Sequence, residues 1–246
     1  MWHAVVPRLA AHHDVIALTE LGHRGGAPAP AGRHTSAADV VDDVERQLGE
    51  LGIDRPHLAG NSLGGWVALE LARRQRAASV CALSPGGCWE AGGPELALAA
   101  RRLRAIALMT RLGRPLLPVV GHIPAVRRLA LRDNAVHGER VSAAELTTLA
   151  DDLLACTVLD DILSTDERLK PLDPLPCPVV VAWSEHDRIL PLETCGAHAR
   201  TLLPAAEHRT LAGVGHVPMF DDPRLVADVI LESAARAGGK LRSEPG

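Results

Sequence analysis

The chain has 246 residues, of which 26 are basic and 30 acidic, giving a formal net charge of -4 at pH 7. This length can bury a full hydrophobic core, and one domain with an insertion suits it as well as two domains. The slightly acidic balance, without basic blocks, gives no reason to expect nucleic acid as a partner. No segment reaches the run of about 18 apolar residues that spans a bilayer, and the first residues lack a secretion signal. We therefore expect a soluble, cytoplasmic protein without membrane contact.

Short apolar runs alternate with helical periodicity in both halves of the sequence. A predicted strand, Val15–Leu18, precedes a glycine-rich loop, and a helix capped at Thr35 or Ser36 follows. Further predicted strands are residues 56–59, 78–83, 179–183 and 208–211, and further predicted helices are residues 66–72, 192–203 and 223–235. This alternation predicts an α/β fold in which a mostly parallel sheet is covered by helices on both faces.

The alternation stops between Trp89 and Pro178, where two helices are predicted, Glu95–Arg111 and Ser142–Leu163. Ser142-x-x-Glu145 is a capping box in front of the second helix. We expect residues 89–177 to form a helical lid on a core of residues 1–88 and 178–240, with a disordered tail at 241–246. Arginines in the first half of the lid and acidic residues in the second predict a solvated face with mutual salt bridges, in preference to an acidic-substrate funnel or a membrane-surface helix.

The cysteines and histidines show no metal-site pattern. Three histidines, His12, His13 and His23, lack partners at metal-ligand spacing and are interpreted as surface or loop residues. The cysteines are odd in number and form no C-x-x-C pair, which predicts buried thiols in a reducing cytosol. They are Cys81, Cys88, Cys156, Cys177 and Cys195. We expect neither a metal nor a cofactor.

The run Gly60-Asn61-Ser62-Leu63-Gly64 lies between a predicted strand and a predicted helix. A serine held in a strained conformation at such a turn needs neighbours without side chains two residues before and after it, and Gly60 and Gly64 provide them. The turn also exposes helix N-terminal N–H groups to a developing oxyanion, with the Leu63 N–H as a donor. Ser62 is therefore a candidate nucleophile.

A serine nucleophile needs a base, and the base needs an acid that fixes its tautomer. Asp187 follows the predicted strand 179–183, and His216 follows the strand 208–211 within Gly213-Val214-Gly215-His216. The order Ser, Asp, His is the one that the turn motif predicts. Glu185 and His186, beside Asp187, are interpreted as loop residues.

With these three motifs in this order, the chain resembles an α/β-hydrolase of the large esterase, lipase and C–C-bond-hydrolase family over nearly all of its length outside the lid. The resemblance implies Ser62 as nucleophile, Asp187 as orienting acid and His216 as general base and then acid. It implies a small-molecule, ester-like substrate cleaved through an acyl-enzyme on Ser62. Substrate identity and oligomeric state are not readable from the sequence.

The sequence departs from that family before Trp2–Ala11, where the family has two edge strands and an inner strand ending in a His-Gly turn. The turn supplies a second oxyanion donor, and losing one donor typically costs about 10²- to 10³-fold in turnover. The departure leads us to expect a truncated or internal start, and either a re-paired sheet or a gap beside Val15–Leu18.

Two alternatives stay open beside ester hydrolysis. The Gly-Asn-Ser turn also resembles that of C–C hydrolases of vinylogous keto-acids. Because the His-Gly turn of the family is missing, the second alternative is a catalytically impaired or non-catalytic homologue. Haloalkane dehalogenases and epoxide hydrolases of this fold place Asp where Ser62 stands, which argues against those activities. Trp66 is expected to pack in the core, and Trp89, at the entrance to the lid, is a candidate substrate contact.

Overall fold

Four parallel strands form the sheet in a computed structural model that describes residues 1–239. In the order β1-β2-β3-β4, each strand pairs in parallel with the next. The strands β2 and β3 are buried along their whole length, whereas β1 and β4 lie at the two edges. The bounds are β1 His57–Asn61, β2 Ser79–Leu83, β3 Val179–Ser184 and β4 Glu207–Leu211.

The helices of the described residues pack around this sheet and in the insertion between β2 and β3. Their bounds are α1 Val6–Leu9, α2 Ala37–Glu50, α3 Leu63–Arg73, α4 Glu95–Gly113, α5 Leu117–Val120, α6 Pro124–Ala130, α7 Ala143–Ala155, α8 Leu159–Ser164, α9 Ala197–Leu202, α10 Pro218–Asp221 and α11 Pro223–Gly239. Ser36 caps α2 through a full capping box with Asp39, which confirms one of the two predicted caps. The predicted helix at 192–203 is a π-helical turn, Leu192–Gly196, followed by α9.

The two faces of the sheet bury different side chains, as the two-residue period of a strand requires. Val80 and Val181 pack in one cluster with Trp66 and Leu69 of α3. The alternate positions of β2 and β3 face a second cluster with α11; these are Cys81, Leu83, Val180 and Ala182. The predicted α/β arrangement with helices on both faces is confirmed.

The predicted strand Val15–Leu18 is wrong, because this segment belongs to none of the strands in residues 1–239. Ile16 is 48% exposed, and β1 pairs on one side alone, with β2. A short apolar run becomes a strand when a neighbouring strand satisfies its backbone groups. Within residues 1–239 no strand lies on the other side of β1, so of the two expected arrangements, a re-paired sheet and a gap, the gap is the one observed.

The insertion between β2 and β3 is helical, as predicted, but its second long helix is interrupted. The predicted helix Ser142–Leu163 is divided into α7 and α8 at Cys156, whose backbone is extended at ψ 120°. Ser142 accepts a hydrogen bond from the Glu145 N–H at 3.1 Å, and this is the one half of the predicted capping box that forms.

Ion pairs link the two halves of the insertion, as the charge pattern predicts. Arg104 contacts Asp160 at 2.9 Å, and Arg114 contacts Asp151 at 2.5 Å. The predicted tail at 241–246 lies outside the described residues. Within residues 1–239, no helix combines the length and the apolar character that crossing a bilayer requires.

Candidate active site

The sequence-predicted site residues follow the carboxyl ends of the strands. Ser62 comes directly after β1, Asp187 lies three residues beyond β3, and His216 follows β4. Because carboxyl ends of parallel strands meet at one edge of a sheet, the three residues share that edge. In open α/β sheets this edge is where ligands bind.

Ser62 has the strained backbone that the turn motif predicts. Its dihedral angles are φ 54° and ψ -116°, which a residue with a side chain adopts rarely. A β-carbon built on Gly60 would lie 2.1 Å from the Gly64 carbonyl oxygen, and one on Gly65 would lie 3.1 Å from Pro85. The turn therefore closes because these positions carry no side chain.

Hydrogen bonds fix the strained turn from both sides. The Ser62 carbonyl oxygen accepts from the N–H groups of Trp66 at 3.1 Å and Gly86 at 2.8 Å. The Asn61 side-chain amide donates to the Leu83 carbonyl at 3.1 Å and to the His216 carbonyl at 2.9 Å. The serine turn and the histidine loop are thus joined directly through Asn61, a role that the sequence alone did not reveal.

Asp187 and His216 form a buried pair. The carboxylate oxygen Oδ2 of Asp187 lies 2.7 Å from Nδ1 of His216, and the Asp187 side chain has no exposed surface. The other oxygen, Oδ1, accepts from the N–H groups of Ile189 at 2.9 Å and Leu190 at 2.8 Å. A carboxylate placed this way keeps the proton of a neutral imidazole on Nδ1 and leaves Nε2 free to accept another.

The structure does not join Ser62 to this pair by a hydrogen bond. Within residues 1–239 the Ser62 hydroxyl has no hydrogen-bond partner, although the Asn61 contact holds the two loops together. Leu63 is the first residue of α3, so its N–H has no acceptor inside the helix. In enzymes of this type the hydrogen bonds of the site are often long without substrate.

A second buried carboxylate, Asp221, holds the histidine loop and was missed by the sequence analysis. It accepts from the N–H groups of Gly215 at 2.8 Å, Val136 at 3.1 Å and His137 at 2.7 Å. Asp222, next in the chain, caps α11, with bonds to two N–H groups at 2.9 and 3.0 Å. The pair Asp-Asp before proline indicates a helix cap, but nothing in that pattern shows that the first carboxylate points inward.

Within residues 1–239, the other predicted candidates form no hydrogen bond with Asp187 or His216. Trp66 and Trp89 pack edge to face, with ring centroids 5.8 Å apart, and Trp89 lines a cavity of about 570 Å³ whose lining includes neither Ser62 nor His216. The substrate contact of Trp89 stays a prediction. Glu185 is exposed and accepts from the Gly213 N–H at 2.7 Å, which supports its interpretation as a loop residue. Within residues 1–239, no group of three His, Cys, Asp or Glu side chains could hold a metal ion.

One curated protein of similar sequence is Epoxide hydrolase EphH of Mycobacterium tuberculosis. It is 37% identical over 207 residues, which cover 79% of this chain and 93% of that protein. Two solved structures share the fold: a thermophilic esterase from Thermogutta terrifontis and a meta-cleavage product hydrolase from Pseudomonas fluorescens IP01. The esterase has a TM-score of 0.66 and 23% identity over 96% of this chain and 85% of that one. The second has a TM-score of 0.63 and 20% identity over 94% and 84%.

At these low identities, the two structures support the fold alone. The sequence profile described as the alpha/beta hydrolase family matches residues 1–229, and therefore nearly the whole chain. The strained serine turn, the parallel sheet and these similarities agree. The chain belongs to the alpha/beta hydrolase family.

Proposed function

We propose that this protein is a serine hydrolase that cleaves a carboxylic ester or a related acyl bond through Ser62. The observation that carries the proposal is the buried hydrogen bond of 2.7 Å between Asp187 and His216, at the sheet edge where Ser62 has a strained backbone. An imidazole oriented by a carboxylate beside a strained serine is the arrangement that activates a hydroxyl.

In the proposed reaction, His216 Nε2 takes the proton of the Ser62 hydroxyl while the oxygen attacks the ester carbonyl carbon. The Leu63 N–H donates to the oxyanion that forms, at the positive end of α3. His216 then returns the proton to the departing alcohol, which leaves an acyl group on Ser62. A water molecule, deprotonated by His216, attacks the acyl carbonyl, and the bond to Ser62 breaks. His216 returns the proton to the Ser62 oxygen as the acid is released. Asp187 stabilises the imidazolium in both steps.

We further propose that residues 89–177 act as a lid over this site and determine the substrate, with residues 1–88 and 178–240 as the core. Ion pairs within the insertion, such as Arg114 with Asp151, support its behaviour as one packed unit. Asp221 supports a connection between lid and site, because it binds N–H groups of the lid and of the histidine loop.

Epoxide hydrolysis is a second candidate, favoured by the 37% identity to a protein named Epoxide hydrolase EphH. Ser62 argues against a covalent route to it. Attack of a serine oxygen on an epoxide carbon leaves an ether, which has no carbonyl carbon for water to attack. An epoxide would therefore have to be opened by water directly, without Ser62 as nucleophile.

The two candidates are separated by labelling and turnover. A fluorophosphonate probe is expected to label the folded wild type, to leave Ser62→Ala unlabelled and to label His216→Ala far more slowly. Ser142→Ala, which changes an exposed serine at the start of α7, is the control and should be labelled like the wild type. A folded wild type that takes no label contradicts the serine mechanism. Epoxide hydrolysis that survives in Ser62→Ala would favour the second candidate.

A further inference from the structure

The helix α4 is apolar on two sides, and one of these sides faces away from the core. On its inner side, Leu103 and Ile106 pack against the core as partly buried residues. On its outer side, Leu108, Met109 and Leu112 are 56%, 66% and 65% exposed, at the three- and four-residue spacing that places side chains on one helix face. A surface helix normally carries polar residues on the side away from the core. The outer side of α4 is therefore an apolar surface that nothing in residues 1–239 covers.

Exposed apolar side chains continue along the chain after α4. The backbone keeps right-handed helical angles at Gly113 and Arg114, where α4 passes into the next turns. Of the eleven large apolar side chains that are exposed in residues 1–239, eight lie in residues 96–132. They are Leu98, Leu108, Met109, Leu112, Leu116, Val119, Ile123 and Leu129. Single exposed apolar residues are normal, but their concentration in one segment marks an interaction surface.

The same segment is strongly basic. Residues 96–132 contain eight arginines and neither Asp nor Glu. The expected salt bridges form for four of these arginines, which contact carboxylates outside the segment: Arg104, Arg114, Arg128 and Arg132. Within residues 1–239, three others, Arg101, Arg102 and Arg111, are exposed and form no hydrogen bond or ion pair. The segment therefore keeps positive charge that the described protein does not neutralise.

The unpaired arginines border the exposed apolar side chains. Arg101 and Arg102 precede Leu108 and Met109 by seven residues, which is about two helical turns, and so lie on the same side of α4. Arg111 follows Leu108 by three residues, the spacing of neighbours on a helix surface. The outer side of α4 thus combines leucine and methionine side chains with guanidinium groups that lack a counter-charge.

This combination fits an anionic lipid surface better than it fits a second copy of the chain. Two copies that met through this side of α4 would bring unpaired arginines against each other, and like charges repel. A helix that lies in a membrane interface inserts its apolar side chains about 5–10 Å into the headgroup and acyl boundary, and its basic residues attract anionic lipids. Arginine suits that position because its apolar stem can lie along the hydrocarbon while its charged end reaches the phosphates.

We propose that the outer side of α4 docks on the surface of an anionic phospholipid bilayer. Leu108, Met109 and Leu112 enter the boundary of the hydrocarbon, and the arginines on the same side contact lipid phosphates. The helix lies parallel to the membrane plane and does not cross it. This docking replaces the solvated face expected from the charge pattern, and it is independent of the reaction at Ser62.

The test is co-sedimentation of the folded protein with large unilamellar vesicles. Vesicles of phosphatidylcholine with 30% phosphatidylglycerol are expected to bind the wild type in 50 mM NaCl, and vesicles of phosphatidylcholine alone should bind it far more weakly. Raising the salt to 500 mM should release most of the protein, because salt screens exposed charges. A folded wild type that does not bind the anionic vesicles in 50 mM NaCl overturns the proposal, and so does equal binding to both kinds of vesicle.

Two double variants separate the contribution of charge from that of the apolar side chains. Arg102→Gln with Arg111→Gln should weaken binding to the anionic vesicles about 25-fold, since each basic residue near such a surface contributes about fivefold. The control is Arg8→Gln with Arg200→Gln, which removes two exposed arginines on other helices and should bind like the wild type. Equal binding by both double variants would contradict the proposed contact.

Met109→Gln with Leu112→Gln should weaken binding more than about tenfold, because two apolar side chains no longer leave water. Its control, Ile16→Gln with Leu51→Gln, changes two apolar side chains of similar exposure outside the insertion. Analytical ultracentrifugation of the same proteins without vesicles tests the other occupant. A wild-type dimer that becomes a monomer in Met109→Gln with Leu112→Gln would assign this surface to a second copy of the chain and overturn docking on lipid.

Discussion

Asp221 offers a direct test of how the histidine loop is held in place. Its carboxylate is buried and accepts three backbone N–H groups, two at Oδ2 from Val136 and Gly215 and one at Oδ1 from His137. The change Asp221→Asn preserves the shape of the side chain and removes its charge. One oxygen would become an NH₂ group, which cannot accept.

The cost can be worked out from these three bonds. An asparagine oxygen that keeps the two N–H groups at the Oδ2 position leaves the third N–H facing an NH₂ group, which costs roughly 1–3 kcal/mol. The two remaining bonds change from charged to neutral acceptors, at about 1 kcal/mol each. Removing a buried charge also removes its desolvation cost, which offsets part of this loss of stability. We therefore expect Asp221→Asn to lower the free energy of unfolding by about 2–4 kcal/mol.

Urea denaturation measures this loss, and the rate of fluorophosphonate labelling measures its effect on the site. Labelling should slow as well, because Gly215 lies directly before His216. The matched control is Asp222→Asn, which removes the same charge one residue later at the cap of α11, where asparagine and aspartate serve about equally. If the two variants unfold at the same urea concentration, Asp221 does not hold the loop as described.

Three other changes test the site and the insertion. Gly60→Ala should lower the free energy of unfolding by more than about 3 kcal/mol, because its β-carbon would lie 2.1 Å from a carbonyl oxygen of its own turn. Gly49→Ala, in open space on α2, is the control and should raise that free energy by up to about 1 kcal/mol. Equal melting temperatures of the two variants would contradict this. Asp187→Asn should slow fluorophosphonate labelling about 10³- to 10⁴-fold without unfolding the protein, because asparagine favours the wrong tautomer of His216. A labelling rate equal to that of the wild type would refute the orienting role of Asp187. The hydrogen bond from Arg114 lowers the pKa of Asp151, so the stability that Arg114→Ala loses should be fully present above about pH 4 and shrink as the pH falls toward the lowered pKa. Urea midpoints of both proteins from pH 6 to pH 3 measure this, and a difference at pH 3 as large as that at pH 6 would count against the pair.

Features that depend on neighbours in the chain could be predicted from the sequence. The serine turn is one, because Gly60, two residues before Ser62, permits the close backbone approach that the turn requires. The buried strands β2 and β3 are another, since their continuous apolar runs identify them without knowledge of their partners. The order of the candidate site residues also followed from motifs at strand ends.

Features that depend on a distant partner could not be predicted in the same way. Val15–Leu18 has the composition of a strand, but none of the strands found in residues 1–239 lies beside it to pair with its backbone. Asp221 and Asp222 look alike in the sequence, and only the position of the lid segment at 136–137 makes the first a buried anchor.

The sequence by itself determined the α/β class, the strained serine and the loops that carry Asp187 and His216, because periodicity and turn chemistry are local properties of the chain. Tertiary structure alone decided the 2.7 Å contact of Asp187 with His216, the bond from Asn61 to the histidine loop and the bonds of Asp221 to the lid segment at 136–137. Each of these joins residues far apart in the chain. Their distances are set by how the strands, the lid and the loops pack together, and no local pattern encodes that packing.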